Sequence, residues 1–169
     1  MHKLEAVSVS VDSSVVVDFY LTGNLPFFEE VFGGRMLMSD FVEEELSESQ
    51  IRVLGSEIVT LTKDEEWTFL TDLRKRRRGL GPGELGAITV AKFRNASLVT
   101  NDRQARQTAD EIGIPVSGAI GVLEYGVEAG KLLGPAAVNI LEEMVREGAW
   151  ISEDLLEMFR RKMIEARDE

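Results

Sequence analysis

Val7-Ser8-Val9-Ser10-Val11-Asp12 alternates apolar and polar residues with a period of two, then stops on an acid. That period belongs to a strand, whose side chains point to opposite faces in turn. The predicted strand delivers Asp12 at its carboxyl end, ahead of an apolar stretch from Val15 to Leu21 that Gly23-Asn24 closes. Working outward, Pro26 opens a predicted helix through Phe27, Phe28, Val31 and Phe32. Short strands are expected at 35–38, 58–61, 97–100 and 114–116. Helices are expected at 41–48, from Thr62 or Asp64 to the arginine run, and at 84–93 and 104–112, with a turn at 79–83 around Pro82. Beyond the glycine-punctuated segment Gly118 to Gly121, three more helices fit 122–128, 136–147 and 153–166. Ser152 is the expected N-cap of the last, with Ile151 stapled on Leu156. Short strands alternating with helices predict an α/β fold with a mostly parallel sheet. The pattern reads as one domain over 1–169, an α/β core to residue 134 and helices over 135–169.

Composition narrows the chemistry. The 169 residues are 44% hydrophobic and 29% charged, a globular balance with enough chain for one core. No apolar run reaches the roughly 18 residues of a membrane span, and the start shows no secretory h-region, so a cytoplasmic protein is expected. Zero cysteines exclude disulfide scaffolds, thiolate zinc sites and cysteine nucleophiles. The one histidine, His2, sits at a terminus, a poor place for catalysis. Oxygen donors remain, and they suit hard ions such as Mg²⁺ or Mn²⁺. A net charge of −11 argues against holding nucleic acid by bulk charge. Arg74, Lys75, Arg76, Arg77 and Arg78 depart from that average as five consecutive cations. They either steer RNA phosphates toward an acidic face or simply end a solvated helix against its dipole.

Thirty acids need a criterion, and helix geometry supplies one. Counting about 100° per residue from Phe41, the apolar arc through Val42 and Leu46 centres near 80°. Glu45 falls inside it, whereas Glu43 and Glu44 fall outside, and Asp40-x-x-Glu43 makes a capping box. On the next acid-bearing helix Glu84 lies among Leu85, Ala87, Ile88 and Ala91. A carboxylate on a buried face is costly unless it has a partner, although Glu84 also fits a first-turn acid favoured by the dipole. Asp12 and Asp102 each follow a strand and precede a helix, so either reads equally as an N-cap. Asn101 competes for the second cap through Asn101-x-x-Gln104. In open parallel sheets, sites form beyond the carboxyl ends of strands where strand order reverses. All four acids could converge there, and would repel one another unless cations were bound.

Val9-Ser10-Val11-Asp12-Ser13-Ser14-Val15-Val16-Val17 resembles the opening strand and first aspartate of PIN domains, the fold of VapC-type toxins and other RNA-cleaving nucleases. Val42-Glu43-Glu44-Glu45-Leu46 matches the V-x-x-E-L pattern of the second acid. Gly83-Glu84-Leu85-Gly86-Ala87-Ile88 is similar to the segment of the third, and Leu98-Val99-Thr100-Asn101-Asp102 to that of the fourth. From Gly83 to about Ala166, including Gly118-Ala119-Ile120-Gly121-Val122-Leu123, the chain resembles one prokaryotic PIN-like subgroup. Many of its members read Asp-Asp where this chain has Asn101-Asp102.

The resemblance implies a three-layer sandwich with a helical C-terminal tail, and Mg²⁺- or Mn²⁺-dependent hydrolysis of RNA leaving 5′-phosphate and 3′-hydroxyl ends. It makes Asp12, Glu45, Glu84 and Asp102 the catalytic acids, with Asp12, Glu84 and Asp102 holding one or two ions. Ser13, Thr100 and Asn101 are the expected donors that orient them. It also implies an RNA substrate and, if the chain is a toxin, a small antitoxin protein; the apolar spacing of the tail helices separately predicts that they close the domain or build a homodimer. A PIN-like module without turnover, binding RNA or a protein partner, remains the alternative. Receiver and dehalogenase readings lack their paired acids at Asp12-Ser13-Ser14, and no G-x-x-x-x-G-K-[ST] or G-x-G-x-x-G is present. Trp67 and Phe69 are expected in the core. Leu155, Leu156, Phe159 and Met163 are expected on one apolar face.

Overall fold

A computed structural model describes Leu4 and residues 8–165. Val7, His2 and Ala166 of the preceding expectations lie outside the described residues. The opening alternation becomes β1 (Val9–Val11), buried on both faces. Ser10 donates to the Ala87 carbonyl at 2.7 Å, so one face meets the helix that carries Ala87, while Val9 and Val11 face the opposite layer. β2 (Met36–Ser39) and β4 (Ser97–Val99) flank β1 and are equally buried. β3 (Ser56–Val59) and β5 (Val116–Ser117) form the edges. Every pairing is parallel, in the order β3-β2-β1-β4-β5. A parallel sheet needs helices on both faces to cover it, and the chain supplies them.

The stretch from Val15 is α1 (Ser13–Leu21), and Pro26 lies in the first turn of α2 (Leu25–Phe32). Phe19, Phe28 and Phe32 are fully buried, and Tyr125 stacks on Phe32 at 6.4 Å between ring centres. α3 (Asp40–Glu48) follows β2, and α4 (Asp64–Arg76) follows β3. The third strand starts two residues earlier than expected because Ser56 pairs with Met36 in the β2 register. α5 (Pro82–Phe93) also starts early: Pro82, expected in a turn, sits in the first helical turn, where its missing N–H costs nothing. It packs on β1, β2 and β4 and on α3, α4 and α6 (Arg103–Glu111).

The remaining helices are α7 (Ala119–Glu128), α8 (Gly134–Arg146) and α9 (Glu153–Glu165). Ser152 caps α9, accepting from the Leu155 amide at 3.2 Å. α9 packs on α8 with Leu156, Phe159 and Met163 buried, but Leu155 is 44% exposed and leaves the expected face. The stripe is narrower than the sequence implied, and Leu155 lies one residue off it. Among the described residues no helix is long and apolar enough to cross a membrane.

Candidate active site

β1 connects toward one edge of the sheet and β4 toward the other, although the two strands are neighbours. A crevice forms where such a reversal occurs. Asp12 follows β1 and caps α1, while Asp102 follows β4 and caps α6, accepting from the Ala105 amide at 2.7 Å. Both are therefore caps and also neighbours across the switch point. The competing caps do not form. Asn101 leaves its cap to Asp102. At α3, Ser39 accepts from the Phe41 amide at 3.2 Å in place of the expected Asp40. Asp40 instead sits in the first turn of α3, where Oδ1 is buried without a hydrogen-bond partner.

Asp12 is 1% exposed. Its Oδ1 accepts from the Ser13 amide at 2.9 Å, and its Oδ2 from Ser14 Oγ at 2.9 Å and Thr100 Oγ1 at 2.7 Å. The Thr100 hydroxyl accepts in turn from the Asp102 amide at 3.1 Å, and Ser14 Oγ from the Asn101 amide at 3.0 Å. These bonds lace the two strand ends together. Burial pushes the Asp12 carboxyl above its ordinary value and the charge of Glu45 adds to the push, against the donations of Thr100, Ser14 and the Ser13 amide.

Glu45 and Glu84 point inward from their helices, both half-buried, while Glu43 and Glu44 are exposed. Glu45 accepts from Ser13 Oγ at 2.7 Å and from the Gly83 amide at 3.1 Å, so one carboxylate ties α1 to the first turn of α5. Only glycine allows this approach: a Cβ at Gly83 would lie 2.5 Å from either Glu45 oxygen. Burial raises the Glu84 carboxyl, and the charges of Asp12, Asp102 and Glu45 raise it further, its own backbone amide opposing. Glu84 therefore feels all three other acids at once.

Of the expected orienting donors, Ser13 and Thr100 bond the acids directly. Asn101 reaches them only indirectly, its backbone amide donating to the Ser14 hydroxyl that holds Asp12. Its side chain donates to Asp18 Oδ2 at 2.6 Å and accepts from the Ala119 amide at 2.8 Å. Two contributors were not anticipated. Ser14 holds Asp12, and Asp18, raised by burial against the Asn101 bond, flanks the site. They are four residues apart on α1 and share a face, a relation visible once 13–21 is read as a helix. The basic run divides: Arg77 pairs with Glu111, while Arg74, Lys75, Arg76 and Arg78 stay exposed. Arg74 to Arg76 form the last turn of α4, where they complement its dipole.

The donor set is all oxygen, and its mutual repulsion favours a hard divalent cation. As placed, however, no group of three or more acidic side chains among the described residues could hold one ion together.

A parallel α/β domain with acids gathered at the switch point of its sheet defines a class of hydrolytic and binding proteins rather than one member. The model of a PIN-domain family matches residues 8–165. The chain belongs to the PIN-domain family, whose fold is of nuclease type. A search of curated proteins returned no match.

Proposed function

We propose that this protein is a Mg²⁺- or Mn²⁺-dependent endoribonuclease working through Asp12, Glu45, Glu84 and Asp102. The observation that carries the reading is geometric: Asp12 and Asp102 cap neighbouring helices across the switch point and are joined through Thr100, with Glu45 tied to Ser13 and to the turn that carries Glu84. Asp12, Glu84 and Asp102 would hold the metal, which when bound shields charge on phosphorus and lowers the pKa of a bound water. Thr100 and Ser14 fix the Asp12 oxygens. Ser13 and the Gly83 amide fix Glu45, so neither acid must be ordered when substrate arrives. Hydrolysis adds water across P–O3′, with hydroxyl to phosphorus and a proton to the departing 3′ oxygen, leaving a 5′-phosphate.

One observation favours the alternative of a PIN-like module with weak or no turnover: the carboxylates do not gather into a three-acid ion site as placed. Incubating the protein and its Asp12→Asn variant with RNA in Mn²⁺, Mg²⁺ or EDTA separates the two. Metal-dependent cleavage lost in the variant supports the enzyme. Equal cleavage by both removes Asp12 from the mechanism. A toxin role, with a small antitoxin covering the crevice, belongs to the same proposal, and a short gene beside this one would support it. So does a homodimer, which exposed Leu133, Trp150, Met158 and Ile164 on and around α8 and α9 would serve. A cytoplasmic setting fits a chain without cysteine.

A further inference from the structure

Trp67 is 43% exposed rather than buried. It lies on α4, where Leu70 and Leu73 are buried and the indole is only partly covered. The ring is nonetheless held: its N–H donates to the Leu61 carbonyl at 3.1 Å, and Phe41 meets it edge-on at 6.2 Å. It borders a cleft of about 510 Å³ that Phe41, Leu85 and Pro82 continue and that Arg74 and Arg78 close. Neither arginine pairs with a carboxylate among the described residues, although the chain carries −11 overall. Pro82 and Leu85 bracket Glu84, and Phe41 lies one helical turn before Glu45. A Cβ on Gly86 would come within 2.9 Å of the Phe41 ring, so the cleft follows the α3–α5 seam that carries both acids.

An aromatic face fixed in place, apolar walls and two unpaired guanidiniums match a nucleobase and its phosphates. We propose that this cleft is a nucleotide subsite for single-stranded RNA. One base stacks against Trp67 and the adjoining phosphates meet Arg74 and Arg78. The inference rests on RNA being the substrate and adds where a nucleotide is held. It divides the basic run: Arg74 and Arg78 contact RNA here, whereas Arg77 serves its pair with Glu111.

Trp150→Phe leaves Trp67 as the one tryptophan, because the chain has two. The test titrates this protein, in EDTA so that nothing is cut, with a short oligouridine and with the same ribose–phosphate chain lacking bases. Trp67 emission should be quenched by the oligouridine, and the chain without bases should bind roughly tenfold or more weakly. Trp67→Leu should weaken oligouridine binding roughly ten- to hundredfold, and Trp67→Phe less. Arg74→Gln with Arg78→Gln should flatten the slope of log affinity against log salt by about 1.4. Equal affinity for the two chains, or emission that ignores RNA, overturns the subsite. That comparison uses the intact ring, so it does not depend on how Trp67→Leu folds. RNA cleaved with Mn²⁺ while Trp67 stays silent overturns the subsite alone. A Trp67 that responds to bases in a protein that never cleaves supports the subsite and sinks the nuclease reading.

Discussion

Replacing Gly83 with alanine should separate activity from stability. The new Cβ would sit 2.5 Å from both Glu45 oxygens and 2.7 Å from the carboxyl carbon, closer than real Cβ atoms approach. The flexible end of Glu45 yields more cheaply than the first turn of α5, so the carboxylate moves. It then loses its bonds to Ser13 Oγ at 2.7 Å and the Gly83 amide at 3.1 Å. Bonds to a charged group contribute roughly 1.5–3 kcal/mol each, but Glu45 is half-exposed and water replaces part of that. A net loss of about 1–3 kcal/mol follows, and alanine's helical preference over glycine returns up to about 1 kcal/mol. The protein should stay folded, with a melting temperature lowered by no more than about 12 °C. Displacing one acid by about an ångström should cost roughly a hundredfold in cleavage. Thermal unfolding, together with Mn²⁺-dependent cleavage of a labelled RNA, reads both. Wild-type rates in Gly83→Ala, at any melting temperature, would refute the claim that the Gly83 amide holds Glu45 in its working position.

Asp12→Asn should stabilise the metal-free protein more at high pH than at low. Burial raises the Asp12 carboxyl, so wild-type stability falls as pH rises through the folded-state value, and the asparagine is free of that loss. A variant-to-wild-type difference that shrinks with rising pH contradicts this. Divalent metal at a hundred times its dissociation constant should stabilise the wild type by about 2.7 kcal/mol, a rise of roughly 5–11 °C that Asp12→Asn abolishes. Thr100→Val removes both the 2.7 Å donor to Asp12 and the 3.1 Å acceptor for the Asp102 amide. It should cost about 1–3 kcal/mol in denaturant melts and reduce cleavage, while Thr100→Ser restores both. Asn101→Asp would set a carboxylate against Asp18 Oδ2, now 2.6 Å from the Asn101 amide nitrogen. Its stability should fall with rising pH, and adding Asp18→Asn should rescue it. A single variant as stable as wild type at pH 8 shows that the pair does not face each other.

The inward turn of Glu45 and Glu84 was legible from helix periodicity, because neighbours three and four residues away set a side chain's face wherever the helix packs. Trp67 shows where that reasoning stops. Its angle places it with Leu70 and Leu73, but whether a face is covered depends on how far the opposing helix extends. Caps were legible unevenly. Ser152 was expected and caps α9, and of the competing Asn101 and Asp102 the latter caps α6, but at α3 the expected Asp40 gives way to Ser39.

The sequence by itself determined the alternation of strand and helix, an oxygen-only chemistry, and four acids in positions that could meet. All of these follow from local period and residue type. Tertiary structure decided that β4 lies against β1, and with it the bond from Thr100 to Asp12, made across 88 residues of chain. It also decided that Glu45 reaches Gly83, that Asn101 turns to Asp18, and that Trp67 stands open. Contacts of that range depend on which strands become neighbours, and strand order is set by how the whole set of helices and strands packs rather than by any local period.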